Sequence, residues 1–181
     1  MTNKFILSFI LALCIAVVSC RNPEQNHKPE QPVMSNAELK ESLINESRRR
    51  MREEVSRIDS WIERNNLQMI STETGVRYRI LQEGKGPLPS LLSRVKLDYT
   101  LALLDGTQCY SSDSTGSLNF ILGQSSEPSG LQEILLKLHE GTTAQIIVPS
   151  YLGYGLTGDG DCISGDESLL YEVRLLQVKQ N

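Results

Sequence analysis

Four tyrosines are the residues of this 181-residue chain whose type and spacing suggest a binding site. Tyr99 and Tyr171 fall in stretches that alternate like strands, Tyr110 follows a predicted hairpin turn, and Tyr154 falls in a long loop. Tyrosine rings can line an apolar cavity while their hydroxyls form hydrogen bonds at its edge. The same spacing fits tyrosines packed in an ordinary core, and spacing alone favours that second interpretation.

Several other chemistries find no support in the sequence. The hydrolase, phosphate-binding and dinucleotide-binding motifs are missing, and the two histidines lie far apart, at 27 and 139. No metal site is predicted, because the stretch "GDGDC" (158–162) would place Ile163 and Leu170 where a calcium loop needs oxygen ligands. We interpret its acidic residues as a solvated loop. A net charge of −4 also gives no electrostatic support for a nucleic-acid partner.

The first 34 residues predict export and anchoring. Residues 1–19 carry one charge, Lys4, before the apolar run "FILSFILALCIAVV", which is shorter than the ~20 residues of a membrane-spanning helix. They are typical of a signal peptide. The ending "VVSC" resembles the lipobox of bacterial lipoproteins, which implies a lipid on Cys20; the alternative is an ordinary signal peptide with a chance cysteine. Residues 20–34 contain three prolines and are interpreted as an extended spacer.

A helix is predicted over residues 35–65. Ser35 and Glu38 have the spacing of a capping box at its start. Apolar residues recur about every seven positions along it, namely Ile44, Met51, Val55, Ile58 and Ile62. Such a stripe must be buried, either against the following domain or in a second copy of the helix. The sequence leaves both options open, and the second would give a homodimer.

From Gly75 onward the pattern changes to strands. "RVKLDYTLAL" alternates, "DG" at 105–106 predicts a hairpin turn, and "GLQEILLKLHEG" (130–141) predicts one short helix. An 18-residue loop rich in glycine (150–167) separates the last two strands, and loops of this length are usually functional. These elements predict an α+β domain in which an antiparallel sheet wraps around one short helix.

Residues 75–179 resemble the FKBP-type peptidyl-prolyl cis-trans isomerases. The resemblance rests on six stretches in order: "GVRYRILQEGKGPLP", "VKLDYTLALLDGTQCYSS", "LNFILG", "GLQEILLKLHEGTTAQIIVP", "LGYG" and "LLYEVRLL". It implies an FKBP-like domain over residues 72–181, with a curved antiparallel sheet. It also implies rotation of X-Pro amide bonds in polypeptides, a reaction that needs neither a metal nor another cofactor.

The resemblance places seven residues around the substrate proline: Tyr99, Tyr110, Leu118, Leu131, Tyr154, Ile163 and Tyr171. Of these, Tyr99 and Tyr154 take catalytic positions, with Tyr154 as the hydroxyl donor. The other side chains would bind the substrate.

The chain also departs from the family pattern at several of these positions. Cys109-Tyr110 stands where the family has Phe-Asp, and Leu118 and Leu131 replace aromatic residues. Glu127-Pro128 replaces Val-Ile, the second of which donates a backbone N–H to the ligand, and proline has no N–H. The resemblance therefore implies a weakened active site.

The resemblance also brings Cys109 and Cys162 together, because the family side chains at these positions are close neighbours. Exported proteins keep disulfides. We therefore expect a bond between these two cysteines, which would pin the long loop to the sheet. Two buried free thiols are the alternative.

Two functions follow from these expectations. One is a slow prolyl isomerase of the cell envelope, anchored by lipid, that assists the folding of exported proteins. The other is a binding or chaperone module in an envelope assembly that keeps the cleft and has lost catalysis.

We predict that Cys20→Ser abolishes the incorporation of labelled fatty acid and the partition of the chain into the membrane fraction. The physical reason is that several acyl chains anchor a protein stably, whereas the remaining sequence offers no comparable anchor. Membrane partition of the Cys20→Ser variant equal to that of the wild type would place the anchor elsewhere.

Overall fold

A computed structural model describes residues 35–180 of the chain. The predicted signal peptide, the spacer and Cys20 lie outside the described residues. The fold divides into two compact units at Lys40, and the first contributes only Ser35–Lys40, the start of a helix, to the described part. The described residues from Glu41 onward form the second unit.

The predicted N-terminal helix is present as α1, Asn36–Arg64. Its first turn is closed by the expected capping box: the backbone N–H of Ser35 donates to Glu38 Oε2 (2.8 Å) and that of Glu38 to Ser35 Oγ (3.3 Å). These bonds satisfy backbone donors that a helix start otherwise leaves unpaired.

The predicted α+β architecture is confirmed. The sheet of the described residues has seven antiparallel strands: β1 (Ile70–Ser71), β2 (Arg77–Gln82), β3 (Arg94–Leu103), β4 (Gln108–Ser111), β5 (Leu118–Ile121), β6 (Thr143–Val148) and β7 (Leu169–Lys179). Their order is β1-β2-β6-β7-β3, and β4 and β5 share the free edge of β3. A four-residue helix that the sequence did not predict, α2 (Ser112–Thr115), separates β4 from β5.

The predicted short helix is α3, Ser129–Leu135, and its buried side faces the sheet. Leu131, Ile134 and Leu135 on this side are fully buried in the main hydrophobic core. Gly130 allows the close approach, because a Cβ there would lie 2.6 Å from Val148 Cγ1. A larger residue at position 130 would push the helix away from the sheet.

The second half of α1 packs against the domain. Ile58 is fully buried, the Asp59 carboxylate pairs with Arg77 at 3.0 Å, and Trp61 Nε1 donates to the backbone oxygen of Leu104 at 2.7 Å. Further toward the N-terminus of this unit, Ile44 and Met51 are each 40% exposed. The sequence left open whether the domain buries the stripe. In the structure Ile58 is buried, and Val55 and Ile62 are half-buried.

Glu54 adds a buried polar contact between α1 and the domain. Its carboxylate is buried and accepts three hydrogen bonds: from Ser150 N (2.6 Å), Ser150 Oγ (2.8 Å) and Ser168 Oγ (2.7 Å). The two serines lie at the two ends of the long loop between β6 and β7. One carboxylate on α1 thus holds both ends of this loop.

None of the helices within residues 35–180 combines the length and the apolar character that crossing a membrane requires.

We predict that Glu54→Ala lowers the free energy of unfolding by about 3 kcal/mol, because it leaves buried donors without an acceptor. Urea denaturation monitored by circular dichroism measures this change. Glu53→Ala, at the exposed neighbouring position, is the matched control and should change the stability by less than about 0.5 kcal/mol. Equal losses in the two variants would contradict the role given to Glu54.

Candidate functional site

A cleft of about 260 Å³ opens on the side of the sheet that carries β4 and β5. Its lining comes from six parts of the chain and comprises Tyr99, Leu101, Tyr110, Leu118, Glu127, Tyr154, Asp159 and Tyr171. Alternation along β3 puts Tyr99 and Leu101 on one face, and the antiparallel register sets Tyr171 of β7 directly opposite Leu101. The sheet thus builds the base of the cleft, and two loops add its walls.

The structure brings five of the seven predicted substrate-binding residues together in this lining: Tyr99, Tyr110, Leu118, Tyr154 and Tyr171. The expected placement of the other two is corrected. Leu131 is fully buried on α3, where it packs in the main core and does not reach the cleft lining. Ile163 is 2% exposed and packs in the same core, so its side chain anchors the loop instead of lining the cleft.

The aromatic rings are held by packing and by short polar contacts. The ring centroids of Tyr99 and Tyr171 are 6.5 Å apart with the planes tilted by 41°, a geometry that aromatic pairs favour. Ser112 Oγ accepts from the Tyr99 backbone N–H (2.6 Å) and donates to its carbonyl (3.0 Å). The Tyr99 hydroxyl bonds to Thr115 Oγ1 at 3.0 Å. The unpredicted helix α2 therefore fixes Tyr99.

The phenols of Tyr154 and Tyr171 stay protonated at neutral pH. Burial, and then the charges of Glu127 and Asp159, raise the pKa of Tyr154. Burial and the neighbouring Tyr154 and Glu127 raise the pKa of Tyr171. A protonated Tyr154 can donate a hydrogen bond to a substrate carbonyl, which is the role that the sequence predicted for it.

Asp159 is a cleft residue that sequence reasoning missed. We interpreted the acids of "GDGDC" as solvated loop, but Asp159 Oδ2 accepts from the Tyr110 hydroxyl (2.5 Å), and Oδ1 accepts from the backbone N–H of Asp161 and Ile163 (both 2.9 Å). Burial acts to raise the pKa of Asp159, but these hydrogen bonds hold it below its usual value. An Asp whose side chain caps the N–H two residues on is a known turn signal, and it could have indicated an ordered loop.

Glu127 is the second acid that the sequence did not place in the cleft. Gln132 fixes its loop, because Gln132 Nε2 donates to the Glu127 carbonyl (2.7 Å) and Gln132 Oε1 accepts from Gly123 N (2.8 Å). Burial raises the pKa of the Glu127 carboxyl group. The sequence offered no signal for this placement, because it depends on a side chain five residues further on.

A disulfide joins Cys109 on β4 to Cys162 in the long loop, with an S–S distance of 2.03 Å and a Cα–Cα distance of 5.6 Å. The bridge lies beside the contact between Tyr110 and Asp159. Tyr110 directly follows Cys109, and Asp159 lies three residues before Cys162. The loop is thus held to the hairpin by one covalent and one polar link. Among residues 35–180, no group of three or more His, Cys, Asp or Glu side chains could hold a metal ion.

A family profile described as FKBP-type peptidyl-prolyl cis-trans isomerase matches residues 86–176, half of the chain. The chain belongs to this family. It is 32% identical over 113 residues to the FKBP-type 22 kDa peptidyl-prolyl cis-trans isomerase of Escherichia coli, covering 60% of this chain and 52% of the relative. It is 36% identical over 107 residues to the peptidyl-prolyl cis-trans isomerase Mip of Coxiella burnetii, covering 59% of this chain and 46% of the relative. The chain thus spans about half the length of these relatives.

Solved structures give the same fold. The crystal structure of a peptidyl-prolyl cis-trans isomerase from Pseudomonas syringae superposes with a TM-score of 0.60 at 26% identity, covering 71% of this chain and 96% of that one. FkpA from Escherichia coli superposes with a TM-score of 0.58, covering 99% of this chain and 83% of that one. Its 20% identity makes this second match evidence for the fold alone.

The loop that enters α3 of this FKBP-type chain ends in a proline. Pro128 is the residue that precedes the helix, and its carbonyl accepts from Gln132 N at 3.1 Å. Because proline has no N–H, this position offers no backbone donor to a bound peptide.

We predict that the double variant Cys109→Ser/Cys162→Ser lowers the free energy of unfolding by roughly 4 kcal/mol, since the bridge spans 53 residues and restricts the unfolded chain. Denaturation in urea with and without reductant measures it, and reductant should destabilise only the wild type. Wild type and variant, purified from an oxidising compartment, should also show equal numbers of free thiols after unfolding. Two more thiols in the wild type would contradict the bridge.

We predict a late ionisation of Tyr110, because its hydrogen bond to Asp159, followed by burial, raises its pKa to about 12. The folded state then holds this proton more tightly than the unfolded state, whose tyrosines titrate near ~10. Stability therefore falls as the pH rises from about 10 toward 12. The difference in phenolate absorbance between wild type and Tyr110→Phe isolates this group.

The matched control for this titration is Asp159→Asn, which removes the charge and should shift the Tyr110 transition back toward ~10. If Tyr110 ionises at the same pH in the wild type and in Asp159→Asn, the assigned cause is wrong.

Proposed function

We propose that the chain catalyses cis-trans isomerisation of X-Pro bonds in polypeptides of the cell envelope and thereby assists the folding of exported proteins. The observation that carries this proposal is the cleft in which Tyr99, Tyr154 and Tyr171 lie together within an FKBP-type domain. Its volume of about 260 Å³ suits a proline and part of the flanking backbone.

The reaction needs a shaped and partly dry surface but no nucleophile. The barrier to rotation is close to ~20 kcal/mol because the planar amide is stabilised by resonance. The twisted amide has lost this resonance and is less polar, so an aromatic cleft favours it over the planar form. The protonated Tyr154 would donate a hydrogen bond to a neighbouring carbonyl and hold the peptide during rotation.

The rate should be lower than that of family members with an intact site. Pro128 removes a backbone donor, and an unpaired carbonyl costs about 1–3 kcal/mol. If this cost falls mainly on the transition state, the rate drops roughly 10- to 100-fold. The chain would then be a slow isomerase.

The second candidate function is a binding or chaperone module that has kept the cleft and lost catalysis. The missing donor at Pro128 and the disulfide at an aromatic position favour this alternative. A cleft wall that is fixed covalently adapts less to a rotating peptide. It would still bind an extended segment that contains proline.

We propose a lipid anchor on Cys20 as the link to the membrane, on the periplasmic side or at the outer membrane. The "VVSC" motif supports it, and one relative is named the outer membrane protein MIP of Legionella longbeachae. A homodimer through α1 is the accompanying proposal, supported by the exposed Leu43, Ile44 and Met51 on that helix. Their apolar surface would be buried by a second copy.

We predict that the purified full-length chain accelerates isomerisation of a succinyl-Ala-Leu-Pro-Phe anilide peptide, measured by NMR exchange spectroscopy. Tyr154→Phe should lower the rate roughly 3- to 10-fold, the effect of losing one hydrogen bond of about 1 kcal/mol. Tyr78→Phe, which removes a hydroxyl on β2 away from the cleft, is the control and should leave the rate unchanged.

No acceleration of this peptide, combined with binding of it at the cleft, would support the module over the enzyme. A rate equal to that of an isomerase with the full family motif would show that the assigned loss at Pro128 is wrong.

A further inference from the structure

The Glu127 side chain lines the cleft without a protein partner. Its residue is half-buried, and within residues 35–180 its hydrogen bonds involve the backbone alone: N donates to Ser125 Oγ (3.1 Å), and the carbonyl accepts from Gln132 Nε2 (2.7 Å). A carboxylate that has lost part of its water and gained no cation is unfavourable. A bound peptide that supplied a positive charge would stabilise this carboxylate.

The rest of the lining does not supply that charge. Asp159 is a second carboxylate of the cleft, and its Tyr110 partner is a neutral phenol, so hydrogen bonding satisfies its lone pairs without cancelling its charge. Among the cleft-lining residues that the structure describes, none is Lys, Arg or His. The potential in the cleft is therefore negative.

The carboxylates also lie close to the residues that would hold the proline. The charge of Glu127 acts on both Tyr154 and Tyr171, and that of Asp159 acts on Tyr154. A side chain next to a proline bound against these tyrosines would lie within reach of one of the two acids. The aliphatic stem of Lys or Arg can also pack on an aromatic ring while its charged end reaches a carboxylate.

We propose that this cleft selects X-Pro bonds in which X is Lys or Arg, with Glu127 as the residue that determines the preference. The proposal rests on the proposed binding of proline peptides in this cleft. It names their chemical class as segments with a basic residue before the proline, and it assigns Glu127 to binding, not to bond rotation.

The test uses three peptides, succinyl-Ala-X-Pro-Phe anilides with X as Lys, Leu or Glu, and the purified full-length chain. NMR exchange spectroscopy gives the catalysed rate without a coupling protease whose own specificity would interfere. We expect kcat/KM to be highest for the Lys peptide, lower for the Leu peptide and lowest for the Glu peptide. The Lys-to-Glu ratio should be roughly two to five at low salt, the range for exposed charge pairs. The ratio should fall as salt is added.

Glu127→Gln should bring the Lys-to-Glu ratio toward one. Glu83→Gln is the matched control, because it removes the same charge at an exposed position outside the cleft lining and should keep the wild-type ratio. A ratio near one in the wild type, or one that Glu127→Gln does not change, would overturn the proposal.

The two proposals fail in different ways. If the chain does not accelerate isomerisation of the Leu peptide, the proposed enzyme activity is wrong. The preference is then measured as the ratio of Kd values for the same peptides by chemical-shift titration. A Lys preference in Kd that Glu127→Gln abolishes supports the inference without catalysis. Equal Kd values for the Lys and Glu peptides overturn it.

Discussion

The pairing of β3 with β7 is the constraint on which the rest of the structure depends. The ladder runs from Arg94 opposite Lys179 to Leu103 opposite Leu169, and it sets Leu101 against Tyr171. The free edge of β3 then accepts both β4 and β5. Side chains alternate along a strand, so a slip of one residue would turn Tyr99 and Leu101 away from the cleft. The base of the cleft is thus a consequence of register.

The walls of the cleft depend on the long loop, and three contacts restrain it. Glu54 of α1 holds the loop at Ser150 and Ser168, the disulfide ties Cys162 to the hairpin, and Asp159 holds Tyr110. A glycine-rich loop of this length has a large conformational entropy to lose. These restraints hold the loop in one conformation. Because one of them, Glu54, lies on the N-terminal helix α1, that helix takes part in shaping the cleft.

The acids and tyrosines of the cleft lie close enough for the acids to raise the pKa values of the tyrosines. Burial, and then the charges of Glu127 and Asp159, raise the pKa of Tyr154, so its phenol remains a hydrogen-bond donor in the cleft. The same charges make the cleft negative, although the sequence indicated a solvated loop for the acids of "GDGDC". The proposed loss of catalytic rate and the proposed substrate preference therefore depend on the same few residues.

The sequence alone determined the elements and most of the base of the cleft. Alternation in "RVKLDYTLAL", the hairpin at Asp105-Gly106 and the capping box at Ser35 are local signals, and a local signal predicts local structure well. The tertiary structure decided which acids face the cleft, why Leu131 and Ile163 are core residues, and how far α1 is buried. These features join residues far apart in the chain, such as Tyr110 with Asp159 and Glu54 with Ser168, across separations of 49 and 114 residues. No short-range pattern encodes such contacts, because they form only after the sheet has brought the loops together.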